Sequence, residues 1–106
     1  MIKYVSIRKL KEGVDPEQYE KYYREKHLPL AKKMPGVRKG TIAKLRDWGT
    51  QPAPYYRMTE LFFDDYESLE KCFSSPEGQA ATNDLELQAM TGEGIKFIAE
   101  EEQIIP

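Results

Sequence analysis

Apolar and polar residues alternate with period two at both ends and in the middle of the chain, and shift to a helical period between. Ile2 to Leu10 places Ile2, Tyr4, Ser6 and Arg8 on one face and Lys3, Val5, Ile7 and Lys9 on the other, which predicts a strand. Neither face is cleanly polar, so the pattern predicts a sheet covered on both sides. Asp15 followed by Pro16 reads as an N-cap and a first-turn proline, opening a helix that runs to about His27. Pro29 has no N–H to offer the carbonyl of Glu25, so a kink or a new helix start is expected near Leu28, with Pro35-Gly36 as the stop.

Val37 to Leu45 predicts a second strand, at a sheet edge because Lys39 and Lys44 are the kind of residue that protects one. Gly40 inside it marks a bulge or a close backbone approach. Arg46 to Pro54 is a loop with Gly49, Pro52 and Pro54, and it holds the single tryptophan, Trp48, as pocket lid, partner contact or functional residue. Tyr55 to Phe63 is the most apolar strand and is expected to be central. Tyr56, Met58, Glu60 and Phe62 share one of its faces, and Arg57, Thr59, Leu61 and Phe63 the other.

Asp64 or Asp65 caps a helix over about Tyr66 to Phe73, and Ser75-Pro76 opens another that reads SPEGQAATNDLELQA. Thr91, Gly92 and Gly94 are expected to end it, leaving Ile95 to Ile105 as the last strand. The order β, α, β, β, α, β is the split βαβ pattern: an α+β, ferredoxin-like βαββαβ fold, a four-stranded antiparallel sheet with its helices on one face. The open face is expected to carry either Val5, Ile7, Leu61 and Phe63 or Ile2, Tyr4, Met58 and Phe62. Either set is too apolar to leave wet, and predicts a homodimer packed sheet against sheet.

Composition narrows the partners. With 106 residues, 40% of them hydrophobic, the chain is expected to form one domain, residues 1–106. Sixteen basic against eighteen acidic residues give a net charge of −2, which supplies no general attraction to nucleic acid or an anionic membrane. Lys32, Lys33, Arg38 and Lys39 read as solvated surface. MIKYVSIRKL lacks the apolar core of a leader, and no run approaches the ~20 apolar residues of a membrane span, so a cytoplasmic location is expected. The lone Cys72 sits in the apolar stripe Tyr66, Leu69, Cys72, Phe73 and reads as a small buried hydrophobe.

The single histidine draws the candidate chemistry together. Tyr19, Tyr23 and His27 recur at four-residue spacing and form one stripe on a helix, just before the break at Pro29. An imidazole titrating near neutral pH beside tyrosyl hydroxyls can act as general acid or base, or can be a hydrogen-bonded packing residue. Glu60, in an otherwise apolar row, is either a second site carboxylate or the partner of a cation on a neighbouring strand. One histidine and no cysteine partner give at best a His plus carboxylate metal site, so no metal is expected. No G-x-S-x-G or glycine-rich phosphate loop occurs.

Three segments, YYREKHLPLAKKMPG, APYYRMTELFF and CFSSPEGQAATNDL, resemble in that order the ethyl tert-butyl ether degradation (EthD) family of the dimeric α/β-barrel superfamily. The likeness covers nearly the whole chain. It implies a protomer that pairs through its sheet face into a barrel, with a ligand pocket between each sheet and its helices. It also implies a part in degrading or converting small organic compounds. Superfamily relatives include cofactor-independent monooxygenases, muconolactone isomerases, polyketide cyclases and heme-degrading oxygenases. Heme fits poorly, because the sole histidine would have to be the axial ligand.

His27 matches the family's histidine before a Leu-Pro or Ala-Pro step, and Tyr23, Glu60 and Tyr56 match family segments. The expected catalytic set is His27, Tyr23 and Glu60, with Tyr4, Tyr19, Trp48, Tyr56 and Met58 binding a small apolar or aromatic substrate. Proton transfer by such a set demands no cofactor. The alternative is a non-catalytic carrier or accessory protein for a partner oxidase.

Overall fold

In the computed structural model, which describes all 106 residues, the alternating segments form one antiparallel sheet. Its strands are β1 (Ile2–Leu10), β2 (Lys39–Lys44), β3 (Arg57–Phe63) and β4 (Thr91–Glu100), in the spatial order β2-β3-β1-β4. β3 is central and β2 lies at an edge, as the hydrophobic and lysine patterns require. The fold is the expected ferredoxin-like α+β arrangement.

The first helical region begins at α1 (Pro16–Tyr22), where the Asp15 side chain accepts from Glu17 N–H. It continues through a π-helical turn, Tyr23–His27, into α2 (Leu28–Ala31). The π turn follows from Pro29. The Leu28 N–H bonds to the Tyr23 carbonyl five residues back, so the backbone widens by one residue before the proline and restarts as an α-helix. Aspartate and serine caps then start α3 (Tyr66–Ser74) from Asp65, α4 (Pro76–Thr82) from Ser75 and α5 (Leu85–Met90) from Asp84. The stretch expected as one helix is thus two, parted at Asn83-Asp84, where the Asp84 carboxylate accepts from Leu87 N–H.

β4 starts four residues earlier than its sequence suggests. Gly92 and Gly94 read as breakers, yet they lie in the strand because β1 passes too close for a side chain. A Cβ on Gly94 would lie 2.1 Å from the Ile7 carbonyl oxygen and 2.6 Å from Arg8 Cδ.

Register decides which residues face the helices. Across β1 and β3 the direct partners are Ile2 with Phe63, Tyr4 with Leu61, Ser6 with Thr59 and Arg8 with Arg57. Ile2, Tyr4, Leu61 and Phe63 pack with Met34, Leu69, Cys72 and Ala81, so this row is the helix-covered face. Phe63 and Cys72 are fully buried there. The uncovered face therefore combines Val5 and Ile7 with Met58 and Phe62, correcting both sets expected from sequence, which joined the strands in the opposite register. Ile95 and Phe97 extend that face and remain 48% and 43% exposed.

Candidate functional site

The helix-covered face changes character along its length. Beyond Tyr4 and Leu61 the strands present Ser6, Thr59, Arg8 and Arg57, and the helices stand off to leave a cavity of about 790 Å³. Tyr19, Tyr23 and His27 line it from the first helical region, and Asp84, Leu87 and Gln88 from α5 and its cap. Tyr4 closes the inner end by packing on Phe73, with ring centroids 4.8 Å apart.

His27, the last residue of the π turn, lines this cavity with its ring largely covered. Its Nδ1 lies 3.0 Å from Asp84 Oδ2. The other carboxylate oxygen accepts from the Tyr22 hydroxyl at 2.6 Å and from Leu87 N–H at 3.2 Å. Burial alone would raise the Asp84 pKa, but the donors Tyr22, His27 and Leu87 together hold it below the ordinary carboxylate value. The hydrogen bond to Asp84, with burial, pushes the Tyr22 hydroxyl up to about 12. Asp84 is therefore the acceptor, Nδ1 carries the proton it donates, and Nε2 is the nitrogen left for a ligand.

Behind this dyad lies an aromatic stack threaded by one cation. Tyr19 and Tyr23 stack at 5.6 Å, and the Arg57 guanidinium carbon sits 4.5 Å from the Tyr23 ring centroid. The Tyr23 hydroxyl shares a hydrogen bond with Thr59 Oγ1 at 3.3 Å. Burial pushes Tyr19 up to about 12 and raises Tyr23, so both remain neutral at physiological pH. Arg57 is 4% exposed and ion-paired to Glu20, whose Oε2 also accepts from the Tyr56 hydroxyl at 2.6 Å. Burial would raise the Glu20 carboxyl. The hydrogen bonds from Tyr56 and Arg57 and the charge of Arg57 outweigh it and hold the group low.

The expected set is thus only partly brought together. His27, Tyr23, Tyr19 and Tyr4 line the cavity. Tyr56 packs edge-on against Tyr19 at 5.6 Å but is tied to Glu20 outside the lining. Met58 and Glu60 stand on the uncovered face, because the residues of β3 that reach the cavity are those of odd number. Glu60 pairs there with Lys3 at 2.6 Å, which is the alternative its sequence context allowed. Trp48 is 86% exposed on a turn closed by reciprocal backbone bonds with Gln51, away from the cavity.

Asp84 and Arg57 are the site residues that sequence patterns missed. Asp84 was concealed in an apparently continuous helix, although Asn83-Asp84 before Leu85 has the form of an N-cap. Arg57 and Thr59 carried a usable signal, since they are polar in the same row as Leu61 and Phe63. No three His, Cys, Asp or Glu side chains converge as a metal site.

An EthD domain family model matches residues 11–89. The chain belongs to the EthD domain family. An uncharacterized 11.0 kDa protein from the thcB-thcC intergenic region of Rhodococcus erythropolis is 30% identical over 92 residues, covering 87% of this chain and 88% of that one. An EthD family protein from Bacillus halodurans superposes with a TM-score of 0.82 at 26% identity, over 96% of this chain and 99% of the other. Two more distant structures share the fold. A dimeric protein of unknown function and ferredoxin-like fold from Bacteroides fragilis gives a TM-score of 0.69 at 18% identity, covering 94% and 95%. A mutant form of SnoaB, a cofactor-independent oxygenase from Streptomyces nogalater, gives 0.70 at 14% identity, covering 99% and 96%. No helix of this EthD domain is long and apolar enough to cross a membrane.

Proposed function

We propose that this protein is a single EthD domain over residues 1–106 that binds a small, partly aromatic molecule in the cavity and moves a proton on it with His27. The observation that carries this reading is the His27–Asp84 contact at 3.0 Å, inside a cavity walled by tyrosines. A carboxylate on Nδ1 fixes the imidazole tautomer and stabilises the imidazolium formed when Nε2 takes a proton. In such a step the substrate C–H or O–H bond breaks, its proton goes to Nε2, and its electron pair stays on the substrate as an enolate or phenolate. Tyr23, neutral and hydrogen-bonded to Thr59, keeps one hydroxyl dipole at the cavity wall. Isomerisation, cyclisation and reaction of a substrate carbanion with O₂ all begin with this step, and none requires a metal or organic cofactor for it. SnoaB, of the same fold, is named as a cofactor-independent oxygenase.

The assembly belongs to the same reading. Two copies pair through the uncovered sheet face, where Ile7, Ile95 and Phe97 form an apolar surface next to Val5. The Bacteroides fragilis protein of the same fold is described as dimeric.

The proton-transfer reading is tested by following exchange of the α-hydrogens of 2-tetralone for deuterium by NMR. The wild type is expected to bind the ketone and accelerate exchange, and His27→Asn to bind it without acceleration. Binding without exchange in both proteins is the result expected of a carrier, and overturns the catalytic role.

A further inference from the structure

We infer that the cavity selects an organic carboxylate, held at the strand end opposite His27 by a row of cations in which Arg57 alone has a counter-charge. This deepens the proton-transfer reading and rests on the same cavity. Register places Lys44 of β2 directly opposite Arg57 of β3, and Arg57 directly opposite Arg8 of β1, all three directed to the helix-covered face. Lys96 of β4, opposite Ser6, stands one diagonal step from Arg8, and it lines the cavity with Arg8 and Arg57, while Lys44 lies exposed at the sheet edge outside the lining. Like charges directly opposite one another on a sheet repel, so three in a row is an arrangement that stability alone disfavours. It occurs in a chain whose net charge is −2.

The carboxylates nearby neutralise only Arg57 and leave Arg8, Lys44 and Lys96 without an ion pair. Glu20 pairs with Arg57 and Arg24, and Asp84 is taken by His27 and Tyr22. Arg8 has one hydrogen bond, from Nε to Ser6 Oγ at 3.3 Å. Arg57 is nearly fully buried, yet its Nε–H has no hydrogen-bond partner. A buried donor of that kind is costly unless something accepts from it or from the guanidinium beside it.

The spacing suits a ring-bearing acid. The Tyr23 ring touches both ends, with its centroid 4.5 Å from the Arg57 guanidinium carbon and 5.1 Å from the His27 ring centroid. A planar substrate lying along Tyr23 would put its carboxylate at Arg8, Arg57 and Lys96 and its reacting hydrogen at His27.

The test uses the full chain and matched probes, 2-naphthoate against 2-naphthamide, by calorimetry and thermal shift. The acid is expected to bind roughly ten- to a hundredfold tighter than the amide, the range that hydrogen bonds to charged groups supply. Added salt should narrow that preference. Arg8→Gln and, separately, Lys96→Gln should each lose most of it. Arg8→Gln without ligand should melt no lower than the wild type, because one repulsion is removed. Equal binding of acid and amide, or an undiminished preference in both variants, overturns the proposal. His27→Asn should keep the preference. If it does while 2-tetralone exchange is unaffected, the anion site stands and the proton-transfer reading fails; the reverse result separates them the other way.

Discussion

The two ends of the helix-covered sheet face are built on the same strands and do opposite work. At one end Ile2, Phe63, Tyr4 and Leu61 meet Met34, Leu69, Cys72 and Ala81 and exclude water. At the other, two and four residues further along β1, Ser6 and Arg8 meet Thr59 and Arg57 below a cavity. The first end contributes stability by burying apolar area. The second holds cations against each other and a carboxylate–imidazole dyad under partial cover, arrangements that reduce stability unless each group is paired. A small domain can keep such an end open only because the other end is closed.

The sharpest way to break that division is to open the closed end. Phe63→Ala is expected to destabilise by about 3–5 kcal/mol, measured by urea unfolding, because a fully buried ring leaves a cavity. Asp84→Ala should cost less, about 1–3 kcal/mol, since it removes the α5 cap and leaves the Tyr22 and His27 donors unpaired. It should also abolish 2-tetralone exchange. A larger loss of stability at Asp84 than at Phe63 would place the structural weight in the site and end the comparison.

Acid unfolding sharpens it further. Asp84 and Glu20 are both held below their ordinary values in the folded chain. As the pH falls the unfolded chain takes up protons first, so their stabilisation is complete above the ordinary carboxylate range. It is lost as the pH drops through the depressed folded values. Asp84→Asn should flatten this acid limb in a pH series of melting temperatures, and a limb as steep as that of the wild type would exclude Asp84 as its source.

The smallest effects are expected where the sequence had suggested function. Glu60→Gln breaks a partly exposed pair with Lys3 and should change stability by ~0–1 kcal/mol with 2-naphthoate affinity intact. Trp48→Ala, on an exposed turn, should fall within about ±0.5 kcal/mol by the same unfolding measurement. A large loss of affinity in either variant would bring the uncovered face or the loop into the site.

Much of this protein was legible from local patterns. Period-two alternation, aspartate and serine caps and the Pro29 break are consequences of backbone sterics and hydrogen bonding within a few residues. They determined the βαββαβ order, the central third strand, the edge position of the second and the placing of His27 at a helix discontinuity. The Tyr19, Tyr23, His27 stripe survived folding because its four-residue spacing needs only a helix.

What only the tertiary structure decided was register and distance. Whether Glu60 or Thr59 faces the cavity depends on which residue of β1 stands opposite, and a shift of one residue exchanges the faces. The His27–Asp84 contact joins residues 57 apart in sequence, so no local period can encode it. The Lys44, Arg57, Arg8 row likewise forms across three strands, where charges far apart in the sequence are brought onto the same face of the sheet.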